Sequence, residues 1–176
     1  MKFICIALAS SMMTLAASEI TIGQKLPELK GKFLTGRQTT LPGGVSGRVA
    51  LLIMGFSYDS RFAVESWTKR FREDFDADPQ VTVFEIPMIG GMARLGKWFI
   101  DGGMRRGTPR ADHERVITVY GGTGPWKERL GVSVEEHAYL ILLDQKGNIA
   151  WRHAGLFDRQ VYAALFEYTR KLASGE

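Results

Sequence analysis

The feature of the sequence that most constrains the fold is an uninterrupted apolar run, RVALLIMGF, which extends from Arg48 to Phe56. The segment between Gly47 and Gly55 is too short for a helix. A short apolar run that contains β-branched residues is typical of a strand buried on both of its faces. The sequence therefore predicts a central strand that other elements must cover from two sides.

Further strands are indicated by apolar or alternating segments that end at proline, glycine or polar residues. The predicted core strands are Arg48–Phe56, Val81–Ile86, Val116–Tyr120, Ala138–Asp144 and Ile149–Ala154. The last two form a hairpin across Gln-Lys-Gly. Residues 24–42 are expected to be an extended lead-in with a turn at Thr-Gly.

Between these strands the apolar residues recur at helical spacing. A first helix is expected from Ser60, and its apolar residues are Phe62, Trp67, Phe71 and Phe75. A second helical stretch carries Leu95, Trp98 and Phe99 on one face and is expected to end at Gly102-Gly103.

Two more helices follow, at Pro125–Leu130 and after Asp158, which is expected to cap the last helix. The apolar stripe of the last helix is predicted at Val161, Leu165, Tyr168 and Leu172. Strands that alternate with helices, followed by a hairpin, predict an α/β fold with a mixed sheet and helices on both faces.

The N-terminal residues 1–18 have the pattern of a signal peptide. Lys2 precedes an apolar run from Phe3 to Ala17, and Ala16 and Ser18 provide small residues for cleavage. The run is shorter than the roughly 20 residues of a membrane-spanning helix, and an uncleaved anchor is the alternative. Residues 19–176 are expected to form a single exported domain.

Composition limits the chemistry of such a domain. The only cysteine is Cys5, so cleavage of residues 1–18 removes the only thiol. The net charge of +4 with 24% charged residues is an ordinary composition, and no nucleic-acid-binding motif is present, so nucleic acid is not an expected partner. His113, His137 and His153 lack the short spacing of metal ligands, so no metal site is predicted.

The element order and the stretch LGVSVEEHAYLILLDQKGNIAWRHAG, residues 130–155, resemble thioredoxin-like proteins of the peroxiredoxin and exported thiol-reductase type. The matching residues are Gly131, Val132, Asp144, Gly147 and Gly155. The resemblance implies a thioredoxin-like, peroxiredoxin-type fold. Redox-active relatives place a cysteine where this sequence has Ser60 or Arg61, and a cis-proline near the position of Ala138.

A narrower set of residues resembles the mitochondrial assembly factors for the membrane sector of the rotary ATP synthase, the Atp-ten family. Trp98, the segment GGMRRGTPR at 102–110 and Val119–Tyr120 contribute to the match. Its longest part consists of Tyr139, Leu142, Leu143, Asp144, Gly147, Ile149 and Trp151. This resemblance implies a thioredoxin-like protein that lacks the redox cysteine pair and has a non-enzymatic role in the assembly of a membrane complex. No cofactor is expected.

Three groups of residues are candidates for binding a partner. Ser57, Asp59, Ser60 and Arg61 follow the central strand, where they could bind a polar group at a helix N-terminus or simply cap the helix. Met104, Arg105, Arg106 and Arg110 could face anionic lipid headgroups or an acidic partner, or belong to a solvated loop. Trp126 is either a core or half-buried residue, as is simplest for all four tryptophans, or an exposed aromatic anchor, for which it is the best candidate. His137 is expected in a loop beside the first helix.

These observations lead to one main functional hypothesis and two alternatives. The main hypothesis is an exported binding or assembly protein whose contact face joins loops 57–61, 102–115 and 134–138. Its partner would be a protein, including a membrane protein, with contact to an anionic membrane surface. The alternatives are a thioredoxin- or peroxiredoxin-like oxidoreductase, which the loss of Cys5 opposes, and a small-ligand carrier with a deep apolar pocket beside Ser60.

Overall fold

The computed structural model describes residues 19–91 and 96–175. The predicted signal peptide, Cys5 and Leu95 lie outside these residues.

A seven-stranded mixed sheet forms the centre of the described structure. Its strands are β1 Leu29–Phe33, β2 Gln38–Leu41, β3 Val49–Gly55, β4 Val81–Ile89, β5 Ile117–Tyr120, β6 Ala138–Leu143 and β7 Ile149–Gly155. Their order across the sheet is β2-β1-β5-β4-β3-β6-β7. Neighbouring β3, β4 and β5 are parallel, whereas β6 pairs antiparallel with both β3 and β7. All five predicted core strands are confirmed, with boundaries shifted by at most a few residues.

The helices of the described residues cover both faces of this sheet. They are α1 Arg61–Phe75, α2 Lys97–Gly107, α3 Thr123–Leu130 and α4 Arg159–Ser174. The buried side chains of α1 and α4 pack on one face, and those of α3 pack on the other. The predicted mixed sheet with helices on both faces is therefore confirmed.

The central strand β3 shows why the chain folds into layers. Successive side chains of a strand point to opposite faces. Val49, Leu51 and Ile53 accordingly face α1 and α4, whereas Leu52 and Met54 face α3. All seven residues of β3 are buried, as expected for an apolar run covered on both sides.

Some details of the predicted helices are wrong. Phe62 and Tyr168 were expected in apolar stripes, but their exposed fractions are 59% and 49%. On α4 the fully buried residues are Leu165, as predicted, and Thr169, and Tyr162 is buried as well. The Asp158 cap is confirmed, because its carboxylate accepts hydrogen bonds from the backbone N–H groups of Gln160 and Val161.

The topology brings the carboxyl ends of β3, β4, β5 and β7 to one edge of the sheet, called here the carboxyl edge. The opposite edge, where β3, β4 and β5 begin, is called the amino edge. Helix α1 starts at the carboxyl edge and, with 15 residues, extends about 22 Å to the amino edge. Within residues 19–91 and 96–175, no helix combines the length and apolarity required to cross a bilayer.

Candidate functional site

A compact turn joins β3 to α1 at the carboxyl edge. The Ser57 hydroxyl oxygen accepts a hydrogen bond from the Ser60 backbone N–H at 3.1 Å, and the Ser60 hydroxyl donates to the Ser57 carbonyl oxygen at 2.7 Å. The two serine side chains thus satisfy backbone groups of their own turn. The turn is therefore closed on itself and is not an open site for a polar ligand, and Ser60 makes no side-chain capping hydrogen bond to α1.

Ser60 occupies the helix start where redox-active relatives carry a thiol, but its surroundings differ from those of a reactive group. Its exposed fraction is 2%. A methyl group added at Gly55 would lie 2.5 Å from the Ser60 hydroxyl oxygen, so the turn packs directly on the last residue of β3. The prediction that Ser60 contacts a partner directly is therefore wrong, because its side chain is enclosed by its own turn.

The loop before β6 lies against this turn, as predicted for His137 and its neighbours. The Ser57 hydroxyl donates a hydrogen bond to the Glu135 carbonyl oxygen at 3.0 Å. His137 is half-buried. Glu135 also forms an ion pair with Lys127 of α3. Loops 57–61 and 134–138 consequently form one continuous part of the carboxyl edge.

An aromatic-cation cluster projects from this part of the edge. Tyr58 and Phe62 have exposed fractions of 79% and 59%. The Arg61 guanidinium carbon lies 3.6 Å from the centre of the Tyr58 ring and 4.1 Å from that of Phe62. Asp59 is exposed and pairs with Arg61 at 3.6 Å. We refer to Tyr58, Asp59, Arg61 and Phe62 as the edge cluster.

Two further apolar side chains are exposed at the same edge. Val134 belongs to the loop that contacts Ser57, and Leu156 directly follows β7. Sequence reasoning missed Tyr58 and assigned Phe62 to the core, because a spacing of four or five residues also fits the buried stripe. In the structure, Trp67 and Phe71 define the buried face of α1, and Phe62 lies outside that face.

The predicted basic residues lie elsewhere. Arg105 donates a hydrogen bond from Nε to the Leu34 carbonyl oxygen at 2.7 Å, and Leu34 lies beside the start of β5. Arg106 and Arg110 are exposed, whereas Met104 is half-buried. These residues lie toward the amino edge, so the expected single contact face with loop 57–61 is wrong. The cause is that α2 runs back along β5 and carries its last turn away from the carboxyl edge.

Carboxylates near the basic residues are already paired. Asp112 lies 3.0 Å from Arg72, and Glu114 lies 2.6 Å from Arg37. Hydrogen bonding to Arg37 lowers the pKa of Glu114. Arg115, which the sequence groups with the other arginines, is bound to Asp76 at 2.6 Å. The uncompensated positive charge is thus confined to fewer arginines than the sequence indicates.

Trp126 is not the exposed aromatic anchor for which it is the best candidate in the sequence. Its exposed fraction is 5%, and it packs in the core layer under α3. Trp98 is the exposed tryptophan instead, with an exposed fraction of 79%. A tryptophan that follows a glycine-rich loop can be exposed or buried, because its burial depends on which face of the short helix packs against the sheet.

Two histidines approach each other where β6 and β7 meet. His153 stacks on Trp151, with a distance of 5.8 Å between ring centres. Burial lowers the pKa of His153, and the nearby His137 adds to that effect, while Asp158 opposes it. Among residues 19–91 and 96–175, no group of three His, Cys, Asp or Glu side chains is placed to hold a metal ion.

A cleft lies between α1 and α4, away from Ser60. Its volume is about 850 Å³, and Phe157, Tyr162 and Phe166 form its apolar wall. Lys69, Arg70, Glu73, Asp74, Arg159 and Glu167 place charges of both signs around it. It is not the deep apolar pocket beside Ser60 that a small-ligand carrier would need.

No protein-family model matches the chain, and no curated protein matches it either. Several solved structures are similar to it. The exposed lipoprotein thioredoxin Etrx1 from Streptococcus pneumoniae has a TM-score of 0.53 and 16% identity, covering 80% of this chain and 99% of that chain. A peroxiredoxin-like protein from Aquifex aeolicus has a TM-score of 0.53 and 17% identity, covering 87% of this chain and 90% of that chain.

The similarity extends to a protein involved in assembly. BsSco, a member of the Sco family of cytochrome c oxidase assembly proteins, has a TM-score of 0.61 and 8% identity, covering 90% of this chain and 98% of that chain. At such low identities the similarity shows the fold alone. The chain has a thioredoxin-like fold of the mixed-sheet type that also occurs in a peroxiredoxin-like protein, as the sequence predicted.

Proposed function

We propose that this chain is an exported, thiol-less thioredoxin-like protein that binds a protein partner and assists the assembly of a membrane complex. The observation that carries the proposal is the edge cluster beside the buried Ser60. Where a thiol would react in redox-active relatives, a hydroxyl is enclosed, and exposed aromatic side chains surround it.

The edge cluster has the composition of a protein-binding surface. Tyrosine and arginine are enriched among the residues that dominate binding energy at interfaces. Arg61 lies against the rings of Tyr58 and Phe62, so a partner would meet a partly ordered surface and would lose less side-chain entropy on binding.

Redox chemistry is a weaker explanation for this surface. Residues 19–176 contain no cysteine, and thiol-disulfide exchange requires a thiolate. The neighbouring Sco structure indicates that this fold also occurs in an assembly protein. The resemblance of residues 139–151 to the Atp-ten family favours the ATP synthase as the complex. Export is supported by the pattern of residues 1–18, and the similarity to an exposed lipoprotein agrees with it.

Site-specific photocrosslinking tests the proposed surface. A photoreactive phenylalanine analogue replaces Tyr58 or Phe62 in the full chain, and Tyr168 on α4, which is exposed, serves as the matched control. We expect crosslinks to a subunit of a membrane complex from positions 58 and 62 but not from 168, identified by mass spectrometry in native membranes. Equal crosslinking from all three positions would contradict a specific surface.

A second experiment separates binding from redox activity. The full chain with Cys5→Ser is incubated with peroxide and a dithiol reductant, or with insulin. We expect turnover equal to the buffer blank, because the variant has no thiolate. Turnover that disappears on unfolding would instead support the oxidoreductase alternative.

A further inference from the structure

We propose that the outward face of α2 docks on an anionic lipid bilayer, with Trp98 and Phe99 inserted at the level of the headgroups. This inference concerns a different surface from the edge cluster and does not rest on the proposed function.

The first observation is an exposed aromatic pair. Trp98 and Phe99 have exposed fractions of 79% and 75%. Their rings contact each other edge to face, with 5.1 Å between centres. Neither side chain contributes to the core layers of the sheet. Tryptophan and phenylalanine are typical of helices that lie in the interface plane of a membrane.

The second observation is the sign of the charge around this pair. Arg106 is exposed on α2, and Arg110 follows in the next turn. Lys97 and Arg105 are exposed as well, although Lys97 also contacts the Tyr120 ring and Arg105 the Leu34 carbonyl oxygen. Asp101, the only acidic residue of α2, points inward, where it is 7% exposed and accepts a hydrogen bond from the Tyr120 hydroxyl at 2.5 Å. The outward face of α2 is therefore purely basic.

The third observation is that nearby carboxylates do not neutralise this face. Asp112 pairs with Arg72, and Glu114 pairs with Arg37. Within the described residues, Arg106 and Arg110 form no ion pair. A basic, aromatic helix face is complementary to anionic headgroups, which attract each basic residue near the surface.

The size of the patch favours a bilayer over a folded protein. Two aromatic side chains bury about 300 to 500 Å², whereas a stable protein interface buries about 800 Å² on each partner. A bilayer has no such threshold, because inserted side chains and nearby charges suffice for reversible association.

Vesicle binding tests the proposal with the full chain. Vesicles of phosphatidylcholine alone are compared with vesicles of phosphatidylcholine and phosphatidylglycerol at equal lipid concentration. We expect binding to the anionic vesicles, with weakening at high salt, because the Debye length falls from about 10 Å at 0.1 M to about 3 Å at 1 M. Equal binding to both kinds of vesicle, or no binding, would overturn the proposal.

Matched variants assign the binding to α2. We expect Trp98→Ser with Phe99→Ser to lower the affinity about tenfold or more. Arg106→Glu with Arg110→Glu is expected to lower it at least about 25-fold, since each basic residue contributes about fivefold. The charge control is Arg48→Glu with Lys146→Glu, two exposed basic residues outside α2. The apolar control is Ile22→Ser with Tyr168→Ser, two exposed residues outside both α2 and the edge cluster.

Tryptophan fluorescence provides a local readout that the apolar residues 1–18 cannot produce, because they contain no tryptophan. Lipids brominated on their acyl chains should quench Trp98 in the wild type and both controls, and not in the Arg106/Arg110 variant. Trp67 and Trp126 are buried and should respond little. Quenching that persists in a Trp98→Phe variant, or equal loss of binding in the controls, would overturn the proposal.

Discussion

At the scale of single residues, Glu85 is a carboxyl whose surroundings oppose its charged form. It lies on β4 under α1, near Thr68 and Arg72. Burial raises its pKa above the ordinary value of 4.5, and the negative charges of Glu65 and Asp112 add to this effect. The Thr68 hydroxyl and Arg72 oppose it only partly. The folded protein therefore binds a proton at Glu85 more tightly than the unfolded chain does.

This environment predicts a pH-dependent stability. Because the pKa is raised in the folded state, the free energy of unfolding should fall as the pH rises from about 4.5 through the folded pKa. Glu85→Gln should remove that loss and stabilise the protein by about 1 kcal/mol at pH 7.5, with little effect at pH 4. Urea unfolding at both values measures it, and Glu128→Gln, at an exposed carboxyl on α3, is the control. A gain of the same size at both pH values would contradict the assignment.

Gly55 provides a second prediction at this scale. A Cβ at this position would lie 2.5 Å from the Ser60 hydroxyl oxygen and 3.2 Å from Val64. Gly55→Ala should destabilise the fold by about 1 to 3 kcal/mol, and less when combined with Ser60→Ala, which removes the closest atom. Gly43→Ala, which meets nothing within 4 Å, is the control. Additive effects of Gly55→Ala and Ser60→Ala in chemical denaturation would show that the two sites do not touch.

The sequence predicts the positions of Ser57 and Ser60 but not their exposure. A strand end followed by serine and aspartate indicates a capped helix start, but the side chain of Ser60 bonds to its own turn and makes no capping hydrogen bond to α1. Whether a hydroxyl there faces solvent depends on contacts with Gly55 and Glu135, residues that no local pattern connects to it. The same limit explains Trp126, whose burial is set by the packing of α3 on the sheet.

At the scale of elements, α2 shows how tertiary contacts override local propensity. Gly102 and Gly103 were expected to end the helix, since each glycine costs about 1 kcal/mol relative to alanine. The helix nevertheless continues to Gly107. Contacts on both sides of the glycines hold it, from Asp101 to Tyr120 and from Arg105 to Leu34. Nothing in the sequence pairs these residues before the fold is known.

The Tyr120 contact can be tested by a conservative change. Burial and the Asp101 hydrogen bond raise the pKa of Tyr120, so its hydroxyl remains a donor throughout the physiological range. Tyr120→Phe should leave a buried carboxyl without this donor and destabilise α2 by about 1 to 3 kcal/mol. We expect faster amide hydrogen exchange at 97–107 and unchanged exchange in α4. Tyr168→Phe is the control, and equal exchange rates in both variants would contradict this function of Tyr120.

At the scale of the whole molecule, the sheet explains which predictions are confirmed. Strands β3, β4, β6 and β7 carry apolar or alternating patterns that follow directly from burial, so their positions are predictable. The relative positions of α1 and α2 are not predictable in this way, because they depend on the order of the strands in the sheet and not on the apolar pattern of any one segment. The sequence therefore predicts that the loop after β3 and the basic segment of α2 share one surface. In the sheet, β4 lies between β3 and β5 and separates them.

The last prediction follows from this separation. Helix α2 contacts β5 through Tyr120, and the edge cluster follows β3, with β4 between them, so two strand spacings of about 4.8 Å separate their strands. The contacts of Arg61 to Tyr58, Asp59 and Phe62 stay within the edge cluster, and Trp98 contacts Phe99. Groups with no shared partners at such separations act independently, within about 0.5 kcal/mol.

Substitutions that remove binding at the edge cluster should accordingly leave binding by α2 unchanged, and the reverse. Tyr58→Ser with Phe62→Ser should remove the partner crosslink formed from a photoreactive residue at Val134 but keep sedimentation with anionic vesicles. Trp98→Ser with Phe99→Ser should do the reverse when the partner is supplied in detergent, where no bilayer is needed to bring the two proteins together. Combining all four changes should give the sum of the two binding losses. If either pair abolished both interactions while the circular dichroism spectrum stayed native, the two surfaces would have to be one.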